Sequence, residues 1–172
     1  IVFGSNVEDD SYRQIIWELR LPRAFCALLA GACLGLAGLL MQTFFQNPLA
    51  GPFVLGIHSG SSLAVALWIM TGTALGVTLP ESVAVAGVTL SSILGGAAVF
   101  FMLLIVSMKI KGNIILLVIG LLFGYFTSGL ISLLISVTDA QKIKTFLMWT
   151  LGSFQGKSVY ELILLSFILG AG

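Results

Sequence analysis

Apolar residues in this chain fall into long unbroken runs, and the polar residues gather between them as punctuation. The first run, Ala24 to Phe45, is opened by Leu19-Arg20-Leu21-Pro22-Arg23 and closed by Gln46-Asn47-Pro48-Leu49-Ala50-Gly51-Pro52. A second run starts at once beyond the break, at Leu55-Gly56-Ile57-His58-Ser59-Gly60. From Ala24 to Pro80 the only Asp, Glu, Lys, Arg or His is His58, and there is none in 82–107 or 112–138. Such runs predict membrane-spanning helices, each needing about 20 apolar residues.

In chain order, Ser11 caps a short interfacial helix over about 11–19, with Ile15, Ile16 and Leu19 on one face and Trp17 at headgroup level. The first span is about 22–45, with Pro22 in its first turn, where a missing N–H costs nothing. At 1.5 Å per residue it reaches about 36 Å, enough to cross with some tilt. Asn47 precedes a proline and is pushed out of the α region, so the helix must end there. Further spans are expected at about 59–71 (a short one), 82–107 and 114–137. A Gly/Thr/Pro linker covers 72–80, and a tight turn at 109–113 places Gly112 in the left-handed region. The stretch 139–151 is amphipathic, with Lys142 and Lys144 set against Ile143, Phe146, Leu147 and Trp149. It predicts a short surface helix capped by Thr138 or Asp139 and ended at Gly152. A further span begins at about 159 and is unfinished at Gly172, so the chain reads as the N-terminal part of a longer protein forming a single transmembrane domain.

Composition agrees with this picture. The hydrophobic fraction is 58% and the charged fraction 9%, against roughly a quarter charged in soluble domains. The fold class expected is therefore an all-α, polytopic transmembrane bundle. A net charge of +1 without a basic cluster argues against nucleic-acid binding. Cys26 and Cys33 stand seven apart on one helix, about 10 Å at helical rise, beyond disulfide reach. They read as packing residues.

Catalytic chemistry finds no foothold. His58 has no carboxylate pair or Cys/His cluster near it in sequence and reads as a polar residue at a helix start. No phosphate loop or HExxH pattern occurs, so no catalytic or metal-ligating residue is expected. Five GxxxG spacings (31/35, 56/60, 72/76, 120/124, 152/156) among 20 glycines support close helix packing as a set, chiefly at Gly31, Gly35, Gly38, Gly120 and Gly124. Gln42 and Gln46, as i, i+4 neighbours, present one polar face just before the break. They serve either helix-end solvation or a water-filled path.

The series Leu19-Arg-Leu-Pro-Arg23, Leu29-Ala-Gly-Ala32, Leu36-Ala-Gly38, Met41-Gln42, Asn47-Pro-Leu-Ala50, Pro52, Leu55-Gly-Ile57 and Ser59-Gly60 resembles the signature of the FecCD family. Leu121-Leu-Phe-Gly124 and Met148-Trp-Thr-Leu-Gly-Ser153 resemble that family's middle segments. The resemblance runs in order through the chain from about Trp17. It implies the type II permease fold of binding-protein-dependent ABC importers for iron-siderophore complexes, haem or cobalamin. It further implies ten helices, a second permease as homodimer partner, two ABC ATPase subunits that use the ATP, and a periplasmic or lipid-anchored binding protein. By the same resemblance, Arg20 and Arg23 dock that binding protein, and Asn47, Pro48, Leu49 and Asn113 close the cytoplasmic end, which makes Gln42 and Gln46 the polar residues nearest the gate and the candidates to line the path. The helices at 22–45 and 114–137 line it, and the chain itself binds no cofactor.

This orientation places Arg13, Arg20, Arg23, Lys142, Lys144 and Lys157 outside, with only Lys109 and Lys111 inside. The positive-inside rule alone predicts the reverse, and the family orientation is preferred because external arginines have a docking role. A secondary transporter or channel with a broken-helix ion site is the alternative. It predicts an intramembrane ionisable residue, and the one candidate within the runs, His58, reads as a polar residue at a helix start near an interface. A structural membrane subunit without a pathway is the third possibility.

Overall fold

The computed structural model describes residues 13–48, 50–51, 53–71, 80–110 and 112–153. The expected linker, Gly72 and Gly76, Leu49, Pro52, Lys111, Gly156, Lys157 and the further span from 159 lie outside the described residues, as do the side chains of Glu81 and Asn113. The helices are a π-helical turn Ile15–Arg20, then α1 (Leu21–Phe45), α2 (Ile57–Thr71), α3 (Glu81–Lys109), α4 (Asn113–Ser136) and α5 (Ala140–Leu151). Among the described residues there is no strand. The chain forms two compact units, Ile1–Leu40 with Ser153–Gly172, and Met41–Gly152.

The sequence suggested an interfacial helix separate from a span opened by Pro22. The structure instead runs them together as one apolar helical stretch, Ile15–Phe45. A proline inside a helix removes a donor and crowds the carbonyl of residue i−4. Here the turn before Pro22 is widened to π geometry, and the Leu21 N–H donates to the Ile16 carbonyl. The wider turn carries the chain past the proline without ending the helix.

Among the described residues, three stretches are long and apolar enough to cross a membrane: Ile15–Phe45, Ser82–Lys109 and Ile114–Ser136. α2 differs. Its 15 residues reach only about 22 Å, short of a hydrocarbon core of about 30 Å. Its apolar residues gather on no single face, and it lies at the centre of the unit Met41–Gly152, with Val65 and Ala66 fully buried. α3, α4 and α5 all pack against it. The expected short span is thus an inner helix.

Lipid supplies no hydrophobic drive between helices, so close approach depends on small residues. α2 and α3 meet backbone to backbone at Gly60 and Gly95, where a Cβ on Gly60 would stand 2.7 Å from the Gly95 carbonyl oxygen. Beside this contact the Ser61 hydroxyl donates to the Ser92 carbonyl at 2.8 Å, and the Trp68 ring covers Gly87. Two apolar clusters close the ends. Phe45, Ala50, Leu55, Val99 and Leu103 form one; Val65, Ala66, Met70 and Phe146 form the other. Serine and threonine hydroxyls within the helices bond back to carbonyls of their own turn, as Thr127 does to Phe123 and Gly124. That is how a span carries them without solvent.

α5 is held by more than its polar face. Phe146 is buried against α2, and its ring stacks on Trp149 at 6.3 Å between centroids. Asp139 occupies the N-cap position without a side-chain cap bond, and the Thr138 hydroxyl instead donates back to Leu134. Gly152, at φ +71, ends the helix. Gly112 sits at φ 149, ψ 117. This lies in positive-φ space that favours glycine, but it is extended rather than the left-handed turn expected.

Candidate functional site

α1 ends in a Schellman motif, with the Asn47 N–H donating to the Gln42 carbonyl at 3.2 Å and the Gln46 N–H to Thr43 at 3.4 Å. This pattern needs a left-handed residue at the position after the helix, usually glycine. Here it is Gln46, at φ 49, the one positive-φ residue other than glycine among the described residues. Gln46 has therefore left the helix, and the expected i, i+4 stacking of Gln42 and Gln46 on one face does not form. Both side chains are exposed.

Beyond the cap, the Ala50 N–H donates to the Asn47 carbonyl at 3.0 Å, closing a turn with Pro48 in second position, where its fixed φ suits a turn. A second turn follows, Val54 N–H to Gly51 carbonyl at 3.1 Å, and then Gly56 N–H to Phe53 at 3.2 Å. Buried Phe45, Ala50 and Leu55 pin the segment into the core between them, while Pro48 is left exposed. The break is a packed, hydrogen-bonded connection.

Its inner edge rests on α4. A Cβ on Gly120 would stand 2.7 Å from the Val54 carbonyl oxygen and 2.8 Å from the Leu55 Cα. A Cβ on Gly56 would stand 2.7 Å from the Gly120 carbonyl oxygen, and Gly56 also takes φ +71. Gly124 faces the Ser59 hydroxyl at 3.4 Å by the same measure. The Gly120/Gly124 spacing thus receives the start of α2 and the turn before it. Gly31, Gly35 and Gly38 lie in the other unit, where a Cβ on each would meet nothing within 4 Å.

The exposed side of α4 is divided in its second half; in the first half the exposed apolar residues Ile114, Val118 and Leu121 occupy the face that the hydroxyls take up later. Tyr125, Ser128, Gly129, Ser132 and Ser136 recur at three- and four-residue spacing and share one face. Leu122, Phe126 and Leu133, also exposed, share the neighbouring strip. Both turn away from the buried line of Gly120 and Thr127. The Ser132 and Ser136 hydroxyls bond back to the carbonyls of Ser128 and Leu133, so the stripe needs no partner outside the helix, and it sets this face apart from the apolar strip beside it. The stripe is legible in the sequence as Ser128-x₃-Ser132-x₃-Ser136; the Gly56–Gly120 contact has no local signal.

Of the other expected residues, Arg20 is exposed on the π-helical turn, Arg23 is half-buried in the first turn of α1, and Asn47 is half-buried at the first turn of the break. Asn113 starts α4. His58 is exposed and meets the Phe53 ring edge-on at 5.7 Å. Among the described residues no group of three or more His, Cys, Asp or Glu could hold a metal. Cys26 and Cys33 are both free thiols.

Comparisons with known proteins agree on the kind of chain this is. The FecCD transport family matches residues 1–172. The vitamin B12 import system permease protein BtuC of Pectobacterium atrosepticum is 33% identical over 148 residues, covering 86% of this chain and 43% of that protein. A Helicobacter pylori protein named "probable iron chelatin transport system permease protein" is 36% identical over 168 residues, covering 96% and 47%. A solved ABC transporter described as of metal-chelate type, in an inward-facing conformation, superposes with a TM-score of 0.76 at 30% identity, over 96% of this chain and 51% of its own. The chain thus spans less than half the length of the curated relatives named here. It belongs to the FecCD transport family, as a multi-pass, all-helical protein of the cell inner membrane.

Proposed function

We propose that this chain is part of the permease subunit of an ABC importer that passes a metal chelate (an iron-siderophore complex, haem or cobalamin) across the inner membrane. The observation that carries the reading is the two-sided exterior of the second half of α4, hydroxyls on one face and large apolar groups on the next, with a packed helix break seated against its first half. A wide, weakly polar wall suits a bulky, partly apolar cargo that moves intact, since tight ligation would hold it back.

In this reading the polar stripe of α4, with Gln42, faces the path. Asn47, Pro48 and Leu49, with Asn113, close its cytoplasmic end, and Arg20 and Arg23 meet acidic residues of a periplasmic or lipid-anchored binding protein. A second permease completes the path. Two ATPase subunits supply the ATP chemistry and bias the path between outward-open and inward-open states through their differential affinity for each. The permease is not itself an enzyme and binds no cofactor.

The test uses the full-length protein assembled with its ATPase and binding protein in proteoliposomes, with cyanocobalamin and a ferric hydroxamate as probes. ATP-dependent uptake of one of them, with raised leak or altered release in Asn47→Ala and Leu49→Ala, is expected. Uptake of neither probe, nor of haem in a third arm, overturns the substrate class, and variants indistinguishable from the parent overturn the gate.

A further inference from the structure

We infer that Gly120 and Gly56 are positioning residues for the gate: their backbone contact locks the turn segment to α4, so that the two move as one body. The inference rests on the gate reading above. Where two elements touch through side chains, rotamers can change and let them slide. Here the contact is backbone on backbone. The Val54 carbonyl and the Leu55 Cα lie against the Cα of Gly120, and the Gly120 carbonyl lies against Gly56. Neither partner has a flexible group that could give way, and packed contacts of this kind switch between discrete arrangements instead of deforming.

The turn is bound as firmly on its other sides. The Gly56 carbonyl accepts the first hydrogen bond of α2 from the Gly60 N–H at 3.0 Å, and Gly56 donates to Phe53. Leu55 and Ala50 are buried with Val99 and Leu103 of α3, and partly buried Leu116, Leu117, Ile119 and Phe123 of α4 pack on that cluster. The exposed Pro48 and the half-buried Asn47 therefore stand on a base that includes the first half of α4. A gate built this way opens by carriage on α4, the helix bearing the hydroxyl stripe, so the path wall and its closure change together.

Two spin labels read this directly in the full-length transporter, in a background of Cys26→Ala and Cys33→Ala. Gly51→Cys places one label in the turn, where a Cβ has open space within 4 Å, and Val137→Cys places the other at the exposed C-cap of α4. The distance within one copy should stay within about 2 Å between the nucleotide-free and ATP-trapped states, the scale of shifts at packed interfaces. The distance between copies, from Gly51→Cys alone, should change. A change within one copy while the between-copy distance also moves overturns the lock and leaves the gate standing. An unchanged between-copy distance means that the turn does not gate, which overturns the gate reading and the lock with it. Gly120→Ala, where it folds, should lose ATP-driven uptake and gain ATP-independent leak. Because the labels sit in a chain that keeps both glycines, the distance test does not depend on that variant folding.

Discussion

The ammonium group of Lys142 donates to the main-chain carbonyl of Met70 at 3.3 Å, joining the first turn of α5 to the last turn of α2. The carbonyls of a final helical turn have no intrahelical donor and carry partial negative charge, so a cation there satisfies both needs. Asp139, 3.8 Å from the same Nζ but largely exposed, adds little. The lysine that ran against the positive-inside rule has a local structural partner.

Removing that donor while keeping its stem should show the cost. Lys142→Met is expected to destabilise by about 0.5–1 kcal/mol, the usual worth of a cation at a helix C-terminus. Lys142→Glu should cost more, because it places like charge against the carbonyls. Thermal unfolding of the purified full-length protein checks both, and equal midpoints for the parent and the two variants would dismiss the contact.

Gln46 holds a left-handed conformation that disfavours every residue with a Cβ by roughly 1–2 kcal/mol. Gln46→Gly should therefore raise stability by about 1 kcal/mol, less the entropy that glycine adds to the unfolded chain, with Gln46→Asn between the two. Measuring uptake alongside separates the roles. If the amide also serves the path, the glycine variant will be more stable and slower.

Gly60 and Gly95 make a second contact with no room for a side chain. Gly95→Ala would set its methyl against the Gly60 carbonyl and the Ala64 Cβ, and overpacking of this kind costs about 1–3 kcal/mol. Gly31→Ala, in open space, should by contrast be neutral or slightly stabilising through helix propensity. A comparison of detergent unfolding midpoints that ranks the two variants in the opposite order would contradict the packing described.

These residues also show where the sequence was legible. Charge-free runs and the Asn47-Pro48 boundary have local causes, so the all-α membrane class, the end of α1 and the existence of α5 could be read directly. What could not be read depends on partners far away in the chain. Pro22 looked like a helix start because proline usually is one, but a π turn carried the helix through it. Gln42 and Gln46 looked like neighbours because nothing in their spacing announces a left-handed residue between helix and turn. Glycine spacing marked Gly120 but not the turn that seats on it, and Lys142 found the end of α2 across 72 residues of sequence.

The division of the α4 exterior yields the sharpest contrast between neighbouring positions. Ser132 and Leu133 are adjacent, both exposed, and on different strips of the helix. If the hydroxyl stripe borders a hydrated path, a cysteine at Ser128, Ser132 or Ser136 will react with a membrane-impermeant thiol reagent, and cargo will slow the reaction. Cysteines at Leu122, Phe126 or Leu133 will stay unreactive, because lipid excludes the charged reagent and keeps the thiol from ionising. The Ser132 hydroxyl bonds back to the Ser128 carbonyl at 3.0 Å, so losing it leaves no distant partner unsatisfied, and Ser132→Leu should fold normally. It should nonetheless cut uptake, by narrowing and drying the wall where the cargo passes. Equal labelling on both strips, or full transport by Ser132→Leu, would remove the stripe from the pathway.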